Sequence, residues 1–219
     1  MDENEAIRPA TEGILRILKA ANSAGIKRVV MTSNFGAVGF SKRKGSGITS
    51  EKDWTDPMDK GISIYEKSKL MAEQAAWEFV RSEDNRLEFT TINPVAILEP
   101  ALSNHISGSF VLFDMILSGK PYPDLPLNIV DVRDVADLHI RAMMKPKASG
   151  ERFIATADGQ ISMSEMARII QEEFVYMMGI NRNIDNSKAK ELLGWNSNLD
   201  NRMIIVESIK SLIAYKIIE

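Results

Sequence analysis

Tyr65 and Lys69 stand four residues apart in the run Tyr65-Glu66-Lys67-Ser68-Lys69. On a helix that spacing puts a phenol and an ammonium on one face. A free phenol titrates near pH ~10 and holds its proton too firmly for efficient transfer at neutral pH, whereas a nearby fixed cation favours the phenolate. The pair is a candidate acid/base couple. Upstream, Thr32 and Ser33 close a short β-branched run. A hydroxyl at the end of that strand could hydrogen-bond a substrate oxygen while Tyr65 gives or takes its proton. The Tyr-x-x-x-Lys spacing alone is a weak signal, and its meaning depends on the elements that place it.

Those elements alternate between helix and strand. Apolar residues Ile7, Ala10, Ile14, Leu15, Leu18 and Ala21 recur at helical period, and Gly25 supplies a stop. Residues 26–33 then read as a buried parallel strand. Residues 35–60 form a long surface connection anchored by Trp54, and such connections are often functional. Helical period returns over 63–80 through Tyr65, Leu70, Ala72, Ala76 and Phe79. A second strand, 87–95, ends near Pro94 because proline cannot donate to a ladder. Two helix-then-strand units in succession predict an α/β fold with a parallel sheet covered by helices. Further along, the pattern predicts a helix at 110–117, a strand at 127–132 leading into a helix through Val135, Leu138 and Ala142, and a strand at 152–156. Ser162 and Glu165 have capping-box spacing for another helix. No clear period runs from 174 to 183; helices are expected over 186–193 and 203–215, with Trp195 sealing the join.

At 219 residues, 44% hydrophobic and 26% charged, the chain can bury a substantial core. Its net charge of −3 argues against a dominant nucleic-acid or anionic-membrane footprint. The absence of Cys removes disulfides, thiolate chemistry and Cys-rich zinc sites, and two His are too few for an imidazole metal site. The acidic start Met1-Asp2-Glu3-Asn4-Glu5 is no signal peptide, and no apolar run approaches the ~18 residues of a membrane span. The expectation is a cytoplasmic protein with a small-molecule partner and no metal, nucleic acid or membrane.

Several segments, taken in order, resemble the extended short-chain dehydrogenase/reductase family, in particular its NAD(P)-dependent epimerase/dehydratase and dihydroflavonol-reductase-like branch. They are Lys27-Arg28-Val29-Val30-Met31-Thr32-Ser33, the Tyr65 to Lys69 run with Ala72-Glu73-Gln74-Ala75-Ala76-Trp77, Asn93-Pro94-Val95, Val130-Asp131-Val132-Arg133-Asp134-Val135-Ala136 and Ala189-Lys190-Glu191-Leu192-Leu193-Gly194-Trp195. The resemblance implies a partial Rossmann-type doubly wound sheet with a small C-terminal substrate-binding region. Residues 1–100 would be the C-terminal part of the dinucleotide-binding domain, and 101–219 a mixed region of substrate-binding and returning Rossmann elements. It further implies NAD or NADP as cofactor, Tyr65 as acid/base, Lys69 on the nicotinamide ribose, Thr32, Pro94 and Val95 along the cofactor, and a strand-end Ser orienting the substrate oxygen. A homodimer, joined through the Tyr-bearing helix and its neighbour, is the family's habit.

Two departures stand out. The substrate-orienting Ser of the family aligns with Asn34, so Ser33 and Asn34 both remain candidates for that position. The family's opening strand, Gly-rich turn and helix, which set a pyrophosphate on a helix N-terminus, have no counterpart; Gly36-Ala37-Val38-Gly39 and Gly45-Ser46-Gly47 lack the spacing. The chain therefore reads as starting inside the fourth helical unit, with a shorter gap near 173–178. The activity expected is reduction of a ketone or aldehyde, or oxidation of the corresponding alcohol. The alternatives are a sugar-nucleotide epimerase or dehydratase, and a truncated non-catalytic remnant or interaction module unable to bind the dinucleotide. Asp131, Arg133 and Asp134 read as helix-capping residues.

Overall fold

The computed structural model describes residues 3–42, 47–82, 86–98, 100–103, 108–118, 121–173 and 184–217. In chain order the elements are α1 (Glu3–Ser23), β1 (Arg28–Thr32), a 3₁₀ turn (Phe35–Ala37), α2 (Ile64–Val80), β2 (Glu88–Pro94), β3 (Ala96–Leu98), α3 (Val111–Leu117), β4 (Pro126–Leu127), β5 (Ile129–Asp131), α4 (Val132–Met144), β6 (Arg152–Ala155), β7 (Ile161–Ser162), α5 (Met163–Glu173), α6 (Ser187–Leu193) and α7 (Asn201–Ala214). The aperiodic stretch from 174 to 183 and His105 lie outside the described residues. The chain divides into two compact units. The first joins Met1–Pro94, Asp137–Ala155 and Asp185–Trp195; the second joins Val95–Ala136, Thr156–Ile184 and Asn196–Glu219.

The first unit is built on a parallel sheet in the order β1-β2-β6, with Val30 opposite Thr90 and Asn93 opposite Ile154. Its central strand β2 is buried almost throughout, as expected of a strand covered on both faces. Gly25, at φ +68, ends the α1 segment in a conformation costly for other residues and turns the chain into β1. Leu18 of α1 and Ala76 and Trp77 of α2 close over Leu87 and Phe89, and the Trp77 indole meets the Phe89 ring edge-on at 4.8 Å. The Arg28 guanidinium donates to the carbonyls of Ala142, Met143 and Lys145 while pairing with Glu88, so one cation satisfies the C-terminal end of α4. Trp195, fully buried, follows Gly194, whose φ of +63 ends α6.

The second unit carries two small ladders, β3 with β5 in parallel and β4 with β7 antiparallel. Its core gathers Phe110, Phe113, Ile116, Met166, Ile170, Ile205, Ile209 and Leu212. The expected single strand over 127–132 is divided here. Leu127 pairs with Ile161 and Ile129 pairs with Ala96, so the chain changes partners at Asn128, whose amide donates to the Gly159 carbonyl. Asp131 then takes the Arg133 N–H and its guanidinium, starting α4 at Val132. Asp134 accepts from Ser197 and Asn198. Asp131 is thus a cap as expected, whereas Asp134, inside the first turn of α4, holds the 197–198 segment rather than a helix end. Ser162 accepts the Glu165 N–H at 2.9 Å at the start of α5, as its spacing predicts.

Candidate active site

The first turn of α2 is set by a reciprocal cap. Ser63 Oγ accepts the Glu66 N–H, and the Glu66 carboxylate accepts the Ser63 N–H at 2.6 Å. Tyr65 therefore sits in the first turn and Lys69 one turn later. Tyr65 is 56% exposed, and Lys69 Nζ lies over its ring, 5.5 Å from the centroid. The two candidates are brought together. The phenol is nevertheless pushed above its ordinary range, first by the part of it that is buried and then by the Glu66 carboxylate beside it. This reverses the direction expected from the Lys alone: the acid recruited to cap the helix stands next to the phenol.

Gly36 brings this turn to the end of β1. A Cβ there would lie 2.7 Å from Asn34 Oδ1 and 2.9 Å from Glu66 Cγ, so only glycine permits the approach. At the strand end successive side chains part to opposite faces. Thr32 Oγ1 lies 2.7 Å from His139 Nε2 of α4. Ser33 is buried and its hydroxyl donates to Glu73. Asn34 caps the 3₁₀ turn, its Oδ1 accepting the Gly36 N–H at 2.7 Å. That bond fixes the orientation of the amide and leaves Nδ2 to donate. Pro94, buried, closes the adjacent strand β2; Val95, also buried, follows it as the first residue of the second unit. The strand-end candidates thus share one edge of the parallel sheet, where α/β folds bind ligands.

Beneath that edge lies a polar cluster that the motifs did not announce. Glu73, fully buried on α2, accepts from Trp77 Nε1 (3.3 Å), Thr91 Oγ1 (3.0 Å) and Arg152 Nε (2.8 Å) at Oε1, and from Ser33 and Asn93 Nδ2 (2.6 Å) at Oε2. Arg152 continues to the carbonyls of Glu51 and Asp53, at 2.9 and 2.8 Å, and its guanidinium stacks 3.7 Å from the Trp54 ring centroid. The long connection is pinned to the sheet in this way, and Trp54 is indeed its anchor. Glu51 adds a bond from the Ile154 N–H. A signal for Glu73 was present: it falls at helical spacing among Leu70, Ala76 and Trp77, so an acid occupies the apolar face of α2. Arg152 and Asn93 gave no comparable sign. Among the described residues no cluster of three or more His, Asp or Glu could hold a metal ion.

The profile of the NAD dependent epimerase/dehydratase family matches residues 1–155. An NADPH-dependent methylglyoxal reductase of Saccharomyces cerevisiae is 29% identical over 230 residues, which cover 88% of this chain and 66% of the yeast protein. A cinnamoyl-CoA reductase of Medicago truncatula is 33% identical over 174 residues, 77% of this chain and 52% of that one. The chain thus spans between half and two thirds of the length of these relatives. In fold, it superposes on the crystal structure of the yeast methylglyoxal/isovaleraldehyde reductase complexed with NADPH with a TM-score of 0.87, at 24% identity, covering 99% of this chain and 73% of the yeast chain.

Proposed function

We propose that this chain, which belongs to the NAD dependent epimerase/dehydratase family, is an NADPH-dependent reductase of small aldehydes or ketones. The observation that carries the reading is the pairing of a half-exposed phenol with the Lys69 ammonium at the start of α2, a turn that Gly36 brings against the C-terminal end of β1. The names of the relatives point the same way, to carbonyl reduction with NADPH.

The donor set fits the ribose and nicotinamide half of a dinucleotide: an ammonium and a phenol for ribose hydroxyls, Thr32 at the strand end, and the apolar Pro94 and Val95 for a flat ring. It offers no pyrophosphate cradle among the described residues, because Gly36 is spent on the close approach of Asn34 and Glu66. When bound, the nicotinamide supplies a hydride. Asn34 Nδ2 donates to the carbonyl oxygen and orients it, with Ser33 the other candidate for that position. Tyr65 then delivers its proton to the same oxygen as charge develops there, and Lys69 stabilises the phenolate left behind. A sugar-nucleotide epimerase or dehydratase would use the same site for transient oxidation; the relatives named above are reductases, which favours reduction. The same proposal places the enzyme in the cytoplasm as a homodimer; no helix among the described residues is long and apolar enough to cross a membrane.

The test is a fluorescence titration with NADPH and NADH, followed by turnover of methylglyoxal and other small aldehydes. Saturable NADPH binding with aldehyde-dependent oxidation is expected. No saturable binding of either nucleotide would overturn the reading in favour of a non-catalytic remnant.

A further inference from the structure

We propose that Glu73 and Asn93 are positioning residues that hold Asn34 in place to meet the substrate oxygen. The proposal rests on the reductase reading above and extends it to a pair of residues that touch neither substrate nor cofactor.

The geometry makes Glu73 more than a buried ion-pair partner. Its two oxygens divide their work. Oε1 takes Trp77, Thr91 and Arg152, which tie α2 to β2 and β6. Oε2 takes Ser33 and Asn93, both at the strand ends that frame the candidate site. Asn93 Nδ2 also donates to the backbone carbonyl of Asn34 at 3.2 Å. A continuous path therefore runs from the Glu73 carboxylate through Asn93 to the Asn34 main chain. Asn34 itself has φ −156 and ψ 148, extended backbone that many neighbouring geometries would accept. It is held by this bond, by the Ala37 N–H, which donates to the same carbonyl at 3.0 Å, and by the cap to Gly36, and the Asn93 bond is the one among them that comes from the sheet. Glu73 also lies one turn beyond Lys69 and two beyond Tyr65 on the same helix. One carboxylate thus ties the helix that bears the proton donor to the strand end that bears the oxygen-binding amide. By taking the Ser33 hydroxyl, Glu73 further withdraws the competing donor into the protein.

The test compares Asn93→Ala and Glu73→Gln with a control, Trp77→Phe, which removes one buried hydrogen bond to the other oxygen of Glu73 and leaves Asn93 untouched. With NADPH and methylglyoxal, Asn93→Ala is expected to lower kcat on the order of 10- to 100-fold while KM and NADPH affinity stay near wild type, since a misplaced group costs rate more than binding. Trp77→Phe should lower Tm yet leave kcat per folded protein unchanged. A second readout needs no turnover. In asparagine-labelled protein, the Asn34 side-chain amide resonance, identified by its loss in Asn34→Ala, should move in Asn93→Ala and Glu73→Gln and stay in Trp77→Phe.

Should Glu73→Gln fail to fold, Asn93→Ala carries the comparison. An unmoved Asn34 resonance in Asn93→Ala, or a kcat lowered equally by Asn93→Ala and Trp77→Phe, overturns the proposal. A wild type that binds no nucleotide defeats the reductase reading instead, and the Asn34 resonance still decides whether the pair positions that residue.

Discussion

At the scale of single residues, burial and local partners outweigh residue type. Tyr65 and Lys69 were legible because their spacing and chemistry are both specific. The direction of the phenol's pKa was not, because partial burial raises it first and the Glu66 carboxylate, recruited to the helix cap, raises it further. Ser33 and Asn34 could not be separated by sequence. In the structure the Ser33 hydroxyl is taken by Glu73, and the Asn34 side-chain oxygen is taken by the Gly36 N–H. Glu51 shows the same balance in a form that can be measured. Burial raises its carboxyl above the usual value, against bonds from its own and the Ile154 N–H and the attraction of Lys188. A raised folded pKa means that the native state holds a proton the unfolded chain has lost, so stability falls as pH rises from the ordinary 4.5 through the raised value. Urea denaturation across that window should show this fall in the wild type and a smaller one in Glu51→Gln.

At the scale of elements, the helices and the parallel strands followed from period and punctuation. The exceptions are β3, which the sequence pattern does not predict beyond Pro94, and the 127–132 run, whose β-branched pattern is continuous although its pairing partner changes at Asn128. Pairing is a property of the partner strand, and no local pattern reports it. The turn after β1 is similar: Gly36 reads as one more loop glycine, yet it is the point where α2 and Asn34 crowd together. Gly36→Ala should therefore be destabilising by roughly 1–3 kcal/mol, the usual range for overpacking. Thermal melts would register it, and a variant as stable as wild type would mean that the α2 cap and the strand end are not in close contact.

At the scale of the molecule, the order of motifs gave the family and the sheet, while the division of the chain into units had to come from its contacts. Residues 137–155 and 185–195, distant in sequence from the first strands, return to the unit that carries the candidate site. They bring Arg152, whose bonds to Glu73 and to the Glu51–Asp53 backbone hold the long connection. No run around Arg152 marks it as a long-range anchor, which is why it escaped the sequence. The whole account rests on Tyr65 as the proton donor. The direct measurement is NADPH oxidation with methylglyoxal by the wild type and by Tyr65→Phe, with nucleotide affinity measured on both. The account predicts a loss of about 100-fold or more in kcat, as for removal of a general acid, with NADPH affinity retained. Equal kcat in the two proteins would contradict it.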